Sequence, residues 1–295
     1  MPADNPFLHI KARTFLLWAL VSIGLGLGGY AVVASATELS FGGLDPLVSL
    51  LVFSGWLYGL ILAWGIWSFR RHGADLRRLV GRLPSGYNWW PPVGLVAATL
   101  LFSVAAIWLV YYSLSFIAPG LVDSLAGQEL YAGDEDTSSP IVYNLAILAM
   151  LVLVAPVLEE VLFRGILLTR WSVRWGTGRA ILLSSGLFAI LHPDPLGAFA
   201  FGVVASLLYL RTRTLIVPIA CHFLHNAVVA AMAGLAMTAD GGVEVGEPDA
   251  GADLVVAMVF LAVSAPILIR FITRGWALRG RSPPYFDPLP AATVY

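Results

Sequence analysis

Apolar residues run along this chain in long, nearly unbroken stretches separated by short polar connections. A membrane-spanning helix needs about 20 mostly apolar residues. Stretches of that kind fall at 14–36, 46–69, 91–118, 141–168, 214–238 and 253–273. Two shorter ones, 179–192 and 196–210, flank "HPDPLG", His192 to Gly197. Pro193 and Pro195 cannot continue a helix, so this hexapeptide reads as a turn joining two short helices near one face of the membrane. The pattern predicts an all-α polytopic membrane protein with about eight transmembrane helices.

Charge tests that map. Lys11 and Arg13 precede the first span, and Glu38 and Asp45 follow it. Arg70, Arg71, Arg77, Arg78 and Arg82 come next, then Asp123, Glu129, Asp134, Glu135 and Asp136. Arg170, Arg174 and Arg179 follow the fourth span, Asp194 sits in the short turn, and Arg211 and Arg213 come after the sixth. The last two connections hold Asp240, Glu244, Glu247, Asp249 and Asp253, then Arg270, Arg274, Arg279 and Arg281. Basic and acidic connections alternate without a break. This positive-inside pattern predicts that both termini are cytoplasmic. Of the 17 basic residues, Arg164 alone lies within a helix rather than on the cytoplasmic side.

Composition agrees. Of 295 residues, 59% are hydrophobic and 12% are charged, about half the charged fraction of a soluble domain. The single Cys221 excludes an intrachain disulfide and a multi-cysteine metal site, and its apolar neighbours make it a core residue. Residues 1–36 have a basic start, an apolar run and "ASA" at Ala34 to Ala36, as a signal peptide would. The apolar run is longer than the usual h-region, so it is read as a first transmembrane helix. The arginine-rich segment 70–82 reads as a solvated determinant of topology, with contact to anionic headgroups as the alternative. The Pro-rich end, "RSPPYFDPLPAATVY", is expected to be unstructured.

Few ionisable side chains remain inside spans: Glu159, Glu160 and Arg164 in the fourth, His192 ending the fifth, and His222 and His225 in the seventh. Asn226 joins them. Such residues are expensive in lipid and must face protein or water, which makes them functional candidates. The competing reading is glue between helices. Helical geometry separates the two glutamates by about 100°. Glu160 and Arg164 stand at i, i+4 with the carboxylate first, the favourable order for an ion pair. Glu159 has Phe163 at i+4, so it must draw a partner from another helix. Glu159 is therefore the candidate for chemistry, and Glu160 with Arg164 for support.

In "HFLHN", His222 and Asn226 share a face, while His225 lies about 60° away. In "FAILH", Phe188 and His192 are i, i+4, so the ring is expected to pack beside the imidazole. Arg170, Arg179 and Arg213 mark the membrane surface on this map. With 1.5 Å of rise per residue, Glu159, His192, His222 and Asn226 lie roughly 16, 20, 14 and 20 Å deep. Three helices thus bring polar groups to one level, which random glue need not do. A carboxylate near an imidazole can act as general base toward water. Imidazole and amide N–H groups can stabilise an oxyanion. Together they suit metal-free hydrolysis of a peptide bond. Glutamate with two histidines is also a catalytic zinc set, although no His here is followed by Glu as in the helical zincin motif.

"EEVLFRG", "FAILH" and "HFLHN" resemble the three motifs of the CPBP family, Glu-Glu-x-x-x-Arg, Phe-x-x-x-His and His-x-x-x-Asn. This is the family of type II CAAX prenyl endopeptidases and bacteriocin-processing relatives, also called the ABI family. The resemblance covers roughly 141–238, with the motifs complete, in order and on separate helices. It implies an intramembrane glutamic endopeptidase in which Glu159 activates water with help from His192. His222 and Asn226 would bind the oxyanion, and Glu160 and Arg164 would support the site. The corresponding division is a cytoplasmic tail at 1–13, transmembrane helices and an acidic loop at 14–140, and the catalytic core at 141–238. An acidic loop and last helix at 239–273 and a cytoplasmic tail at 274–295 follow.

Other readings stay open. The same residues could serve a metal-dependent membrane protease, or the chain could be a non-enzymatic bacteriocin-immunity or scaffolding protein. A proton-coupled transporter is disfavoured because no paired broken helices suggest inverted repeats. No cofactor is expected, with a metal left open. The expected partners are the bilayer and a membrane-associated peptide or protein, and no nucleic acid. Sixteen arginines against one lysine suggest a GC-rich bacterial genome, and so a bacterial cell membrane.

Overall fold

The computed structural model describes residues 5–36, 45–126, 130–133, 136–238 and 250–286. The acidic loop at 239–249, Glu38, Glu129, Asp134, Glu135 and the last residues of the C-terminal tail lie outside them. Among the described residues there is no strand. Among the same residues seven helices are long and apolar enough to cross a membrane: Arg13–Val32, Pro46–His72, Trp90–Ser115, Pro140–Trp175, Pro195–Thr212, Ile216–Leu235 and Leu254–Gly280. The protein is an all-α polytopic integral membrane protein. The remaining expected helix forms at Thr177–Ile190 with 14 residues. At 1.5 Å per residue that is about 21 Å, short of a bilayer core of about 30 Å.

The chain forms two compact units, residues 1–76 with 130–158, and residues 77–129 with 159–295. In the first, the helices at Ala12–Ala36 and Pro46–His72 pair. Trp56 Nε1 donates to the Ser22 carbonyl at 3.0 Å, and Phe15 packs 5.2 Å from the buried Trp64 ring. Asp45 caps the second helix by accepting from Leu47 N at 2.8 Å. The same carboxylate accepts from Thr137 Oγ1 at 2.8 Å, Ser138 N at 2.9 Å and Ser138 Oγ at 3.0 Å. The Ser138 N–H foremost, then the Thr137 hydroxyl, hold its carboxyl down at about 2. An acidic loop residue thus ties two distant segments.

The second unit holds the motifs. Its most enclosed helix is Pro195–Thr212, where every residue from Phe201 to Leu210 is buried. Small residues permit that closeness. A Cβ on Gly202 would stand 2.9 Å from Ser185 Cβ on the Thr177–Ile190 helix. The end of Pro195–Thr212 is pinned to a short upstream turn. Tyr209 donates to the Leu79 carbonyl at 3.1 Å, and Leu215 N and Thr214 Oγ1 each donate to the Val80 carbonyl at 2.8 Å. Gly81 has φ of +71°, and a Cβ there would meet the Arg213 carbonyl at 2.5 Å, so both conformation and space call for glycine.

The start of the Pro-rich end is ordered, contrary to the expectation from composition. Pro283, Pro284 and Tyr285 are buried. Arg213 Nη1 donates to the Ser282 carbonyl at 2.7 Å, and Thr177 Oγ1 to the Arg281 carbonyl at 2.9 Å. Proline suppresses regular structure but not docking, because side-chain donors can satisfy its carbonyls.

The long helical run Pro140–Trp175 is not uniform. Met150–Val154 and Val161–Leu168 are π-helical and bracket the α-helical Ala155–Glu160. Wider turns of this kind re-aim side chains and recur at functional positions.

Candidate active site

Glu160 and Arg164 form the expected pair, with Arg164 Nη1 donating to Glu160 Oε1 at 2.7 Å, and both residues are fully buried. The guanidinium lies over the Phe188 ring at 4.5 Å, with Phe201 at 5.9 Å and Phe163 at 6.0 Å. Aromatic faces favour a desolvated cation. Removing either charge would strand the other at a cost of about 3–5 kcal/mol.

Glu160 has a second task that helical spacing did not reveal. Its Oε1 also accepts from His222 Nδ1 at 2.9 Å. The pair is therefore a triad spanning two helices, Arg164–Glu160–His222. No periodicity links residues 62 positions apart, which is why sequence alone could not find it. Phe201 was missed for the same reason. Its ring stands 5.0 Å from His222 and 5.1 Å from His225, yet "GAFAFG" sets it apart by no spacing rule.

His192 is anchored differently. Its Nδ1 lies 2.7 Å from the Phe188 carbonyl. A carbonyl only accepts, so Nδ1 carries the proton. The Phe188 ring packs against the imidazole at 4.1 Å, as the i, i+4 spacing predicted. The turn beyond is held by Asp194, which accepts from Gly197 N at 3.0 Å and contacts Ser103 Oγ.

Both anchored imidazoles present Nε2 to one atom. His192 Nε2 is 3.6 Å from Glu159 Oε2, and His222 Nε2 is 3.9 Å from the same oxygen. Side-chain exposure falls from 28% at His192 to 17% at Glu159 and 3% at His222. The cluster thus opens on the His192 side and closes on the His222 side. The structure brings Glu159, Glu160, Arg164, His192 and His222 together. Asn226 lies one turn beyond His222, half-buried, with its side chain hydrogen-bonded to His225.

Chemically, Glu159 with two Nδ1-anchored histidines has the donor types of a catalytic zinc set. Among the described residues, however, no group of three His, Cys, Asp or Glu side chains is placed to hold a metal ion.

Residues 141–228 match a family model described as "Type II CAAX prenyl endopeptidase Rce1-like". The matched segment contains all three motifs. The chain is also similar to a Bacillus subtilis (strain 168) protein named "Putative membrane peptidase YdiL", 27% identical over 145 residues. The family match covers less than a third of the chain. The second match covers 46% of the chain and 57% of the relative. No solved structure is a significant match. The side chains that meet around Glu159 come from all three motifs of the matched segment.

Proposed function

We propose that this protein is an intramembrane endopeptidase of the CPBP family that hydrolyses a peptide bond of a membrane-associated peptide or protein. One observation carries the reading: two imidazoles, each anchored through Nδ1, present Nε2 to a single Glu159 oxygen. The family match and the relative's name support it.

Glu159 serves as general base. It takes a proton from a water bound beside its carboxylate and His192 Nε2. The resulting hydroxide attacks the substrate carbonyl carbon. The carbonyl oxygen becomes an oxyanion that accepts from Asn226 and from His222. Because His222 Nδ1 already donates to Glu160, donation through Nε2 requires a proton on both ring nitrogens. Glu159 then returns its proton to the departing nitrogen as the C–N bond breaks. Arg164 orients Glu160 through their ion pair. The site is entered from the cytoplasmic side of a bacterial cell membrane, where both termini lie, and residues 141–238 form the catalytic core.

The test is comparative proteomics of membrane fractions from cells carrying wild type or Glu159→Gln. The reading expects C-terminal fragments that disappear in the variant. Unchanged fragments and an unchanged cellular phenotype would favour a non-enzymatic scaffold.

A further inference from the structure

Away from Glu159, the second unit holds a cavity of about 870 Å³. Arg211, Arg270, Arg274 and Arg281 line it. Among the described residues, none of these four guanidinium groups has a carboxylate within ion-pair distance. Helix ends do not explain so much charge. The helices at Pro195–Thr212 and Ala250–Gly275 end near the cavity, and Trp90–Ser115 begins there. Two C-termini and one N-terminus together contribute roughly −0.5 of a charge, against four cations. An excess of about +3.5 is left unmatched among the described residues.

The rest of the lining is partly apolar. Leu95, Leu208, Ile267 and Phe271 belong to it, and Ile267 is 44% exposed on a helix long enough to span the bilayer. Tyr87 and Asn88 also line the cavity. Tyr87 packs edge-on against Trp89 at 5.1 Å, and Trp90 is 81% exposed. Tyrosine and tryptophan of this kind settle at the headgroup level of a bilayer. A small soluble anion would use the cations but leave the apolar part of the lining unmatched. A ligand with an anionic head and a hydrocarbon tail uses both.

We propose that this cavity binds an anionic phospholipid, with its phosphodiester among the four arginines and an acyl chain along Ile267 and Phe271. The site is independent of the peptidase reading. It would retain lipid even if Glu159 proved to have no catalytic role.

The experiment uses the full chain in phosphatidylcholine nanodiscs titrated with photoactivatable phosphatidylglycerol, with labelled peptides located by mass spectrometry. Label is expected within 84–95 and 267–281. Excess unlabelled phosphatidylglycerol should displace it, and phosphatidylcholine or inorganic phosphate should not. The triple variant R211Q/R270Q/R274Q should weaken the apparent affinity by about 100-fold, since each interfacial arginine contributes about a factor of five. Equal neutralisation elsewhere, R13Q/R70Q/R82Q, should leave labelling at these peptides within a few-fold. Should the triple fail to fold, the exposed Arg270→Gln alone is read, with about fivefold weakening expected. Displacement by inorganic phosphate would assign the cavity to a soluble anion. Equal losses in the two triples, or label spread over all spans, would reduce it to general attraction. Either result overturns the proposal.

Discussion

Two helices of this protein are both apolar enough to cross a membrane, yet their surroundings are opposite. Of the most apolar stretch of Pro46–His72, 6% is buried inside the protein, against 72% for Pro195–Thr212. The more enclosed helix is the less hydropathic of the two. Lipid tails are as apolar as leucine, so apolarity alone does not draw helices together in a bilayer. Close approach does, and it needs small residues. Pro195–Thr212 offers Ala198, Gly202, Ala205 and Ser206 to its neighbours, and all four are buried. Pro46–His72 leaves Leu51, Val52, Leu62 and Trp67 exposed. The enclosed helix is the one beside the His192 turn and under His222, where a fixed geometry is required.

Chemistry should divide the two regions most sharply. Glu159→Gln is expected to lower cleavage by about 10²–10⁴-fold, the usual contribution of a general base. A change at the exposed Trp67 should leave cleavage within a few-fold. Rates are compared on a substrate found by the proteomic screen, with melting curves to show both variants folded.

The Glu160 link is next in size. Glu160→Gln can still accept from His222 but removes the negative charge beside that imidazole. It should cost about 10–100-fold, as loss of a partner behind a reacting histidine does. The loss should fall on kcat rather than KM. A loss confined to KM would assign Glu160 to packing.

Packing can be contrasted with two glycines. A Cβ at Gly202 meets Ser185 at 2.9 Å, whereas one at Gly28 has nothing within 4 Å. Gly202→Val should destabilise by about 1–3 kcal/mol through overpacking. Gly28→Ala should be neutral or slightly stabilising, since alanine is the better helix former. Thermal unfolding in detergent measures both, and equal shifts would erase the contrast between the regions.

A smaller effect belongs to the first unit alone. The Asp45 carboxyl titrates at about 2 in the folded protein, against an ordinary 3.8. Its folded value is depressed, so its contribution is complete above the ordinary value and lost as pH falls through about 2. Asp45→Ala should therefore melt lower than wild type near neutrality, and the gap should close in acid. A gap independent of pH would mean that the ionised carboxylate is not what holds Thr137 and Ser138. The smallest expected effect is none: exhaustive chelation should leave cleavage unchanged. Loss restored by one particular metal would return the metal-dependent reading.

Much of the architecture was legible in one dimension, because lipid imposes a one-dimensional rule. A span must be long and apolar, and arginine must stay out of it. Runs such as 46–69 and 91–118 therefore announced themselves, and the unbroken alternation of charged connections supported them. Local spacing also exposed the Glu160–Arg164 pair and the Phe188–His192 stack, since i, i+4 neighbours meet wherever the backbone is helical. The π-helical stretches around Ala155–Glu160 were not legible, because their wider turns answer to packing rather than to residue type. The buried prolines after Arg281 were hidden by a composition that looks disordered. Above all, the sequence offered Glu159, His192 and His222 at a common depth, but depth is one coordinate. That both histidines turn Nε2 toward one oxygen, with Glu160 and the Phe188 carbonyl behind them, was decided only when three helices packed. Hydrogen-bond partners on different helices obey distance in space, and no periodicity along the chain encodes that distance.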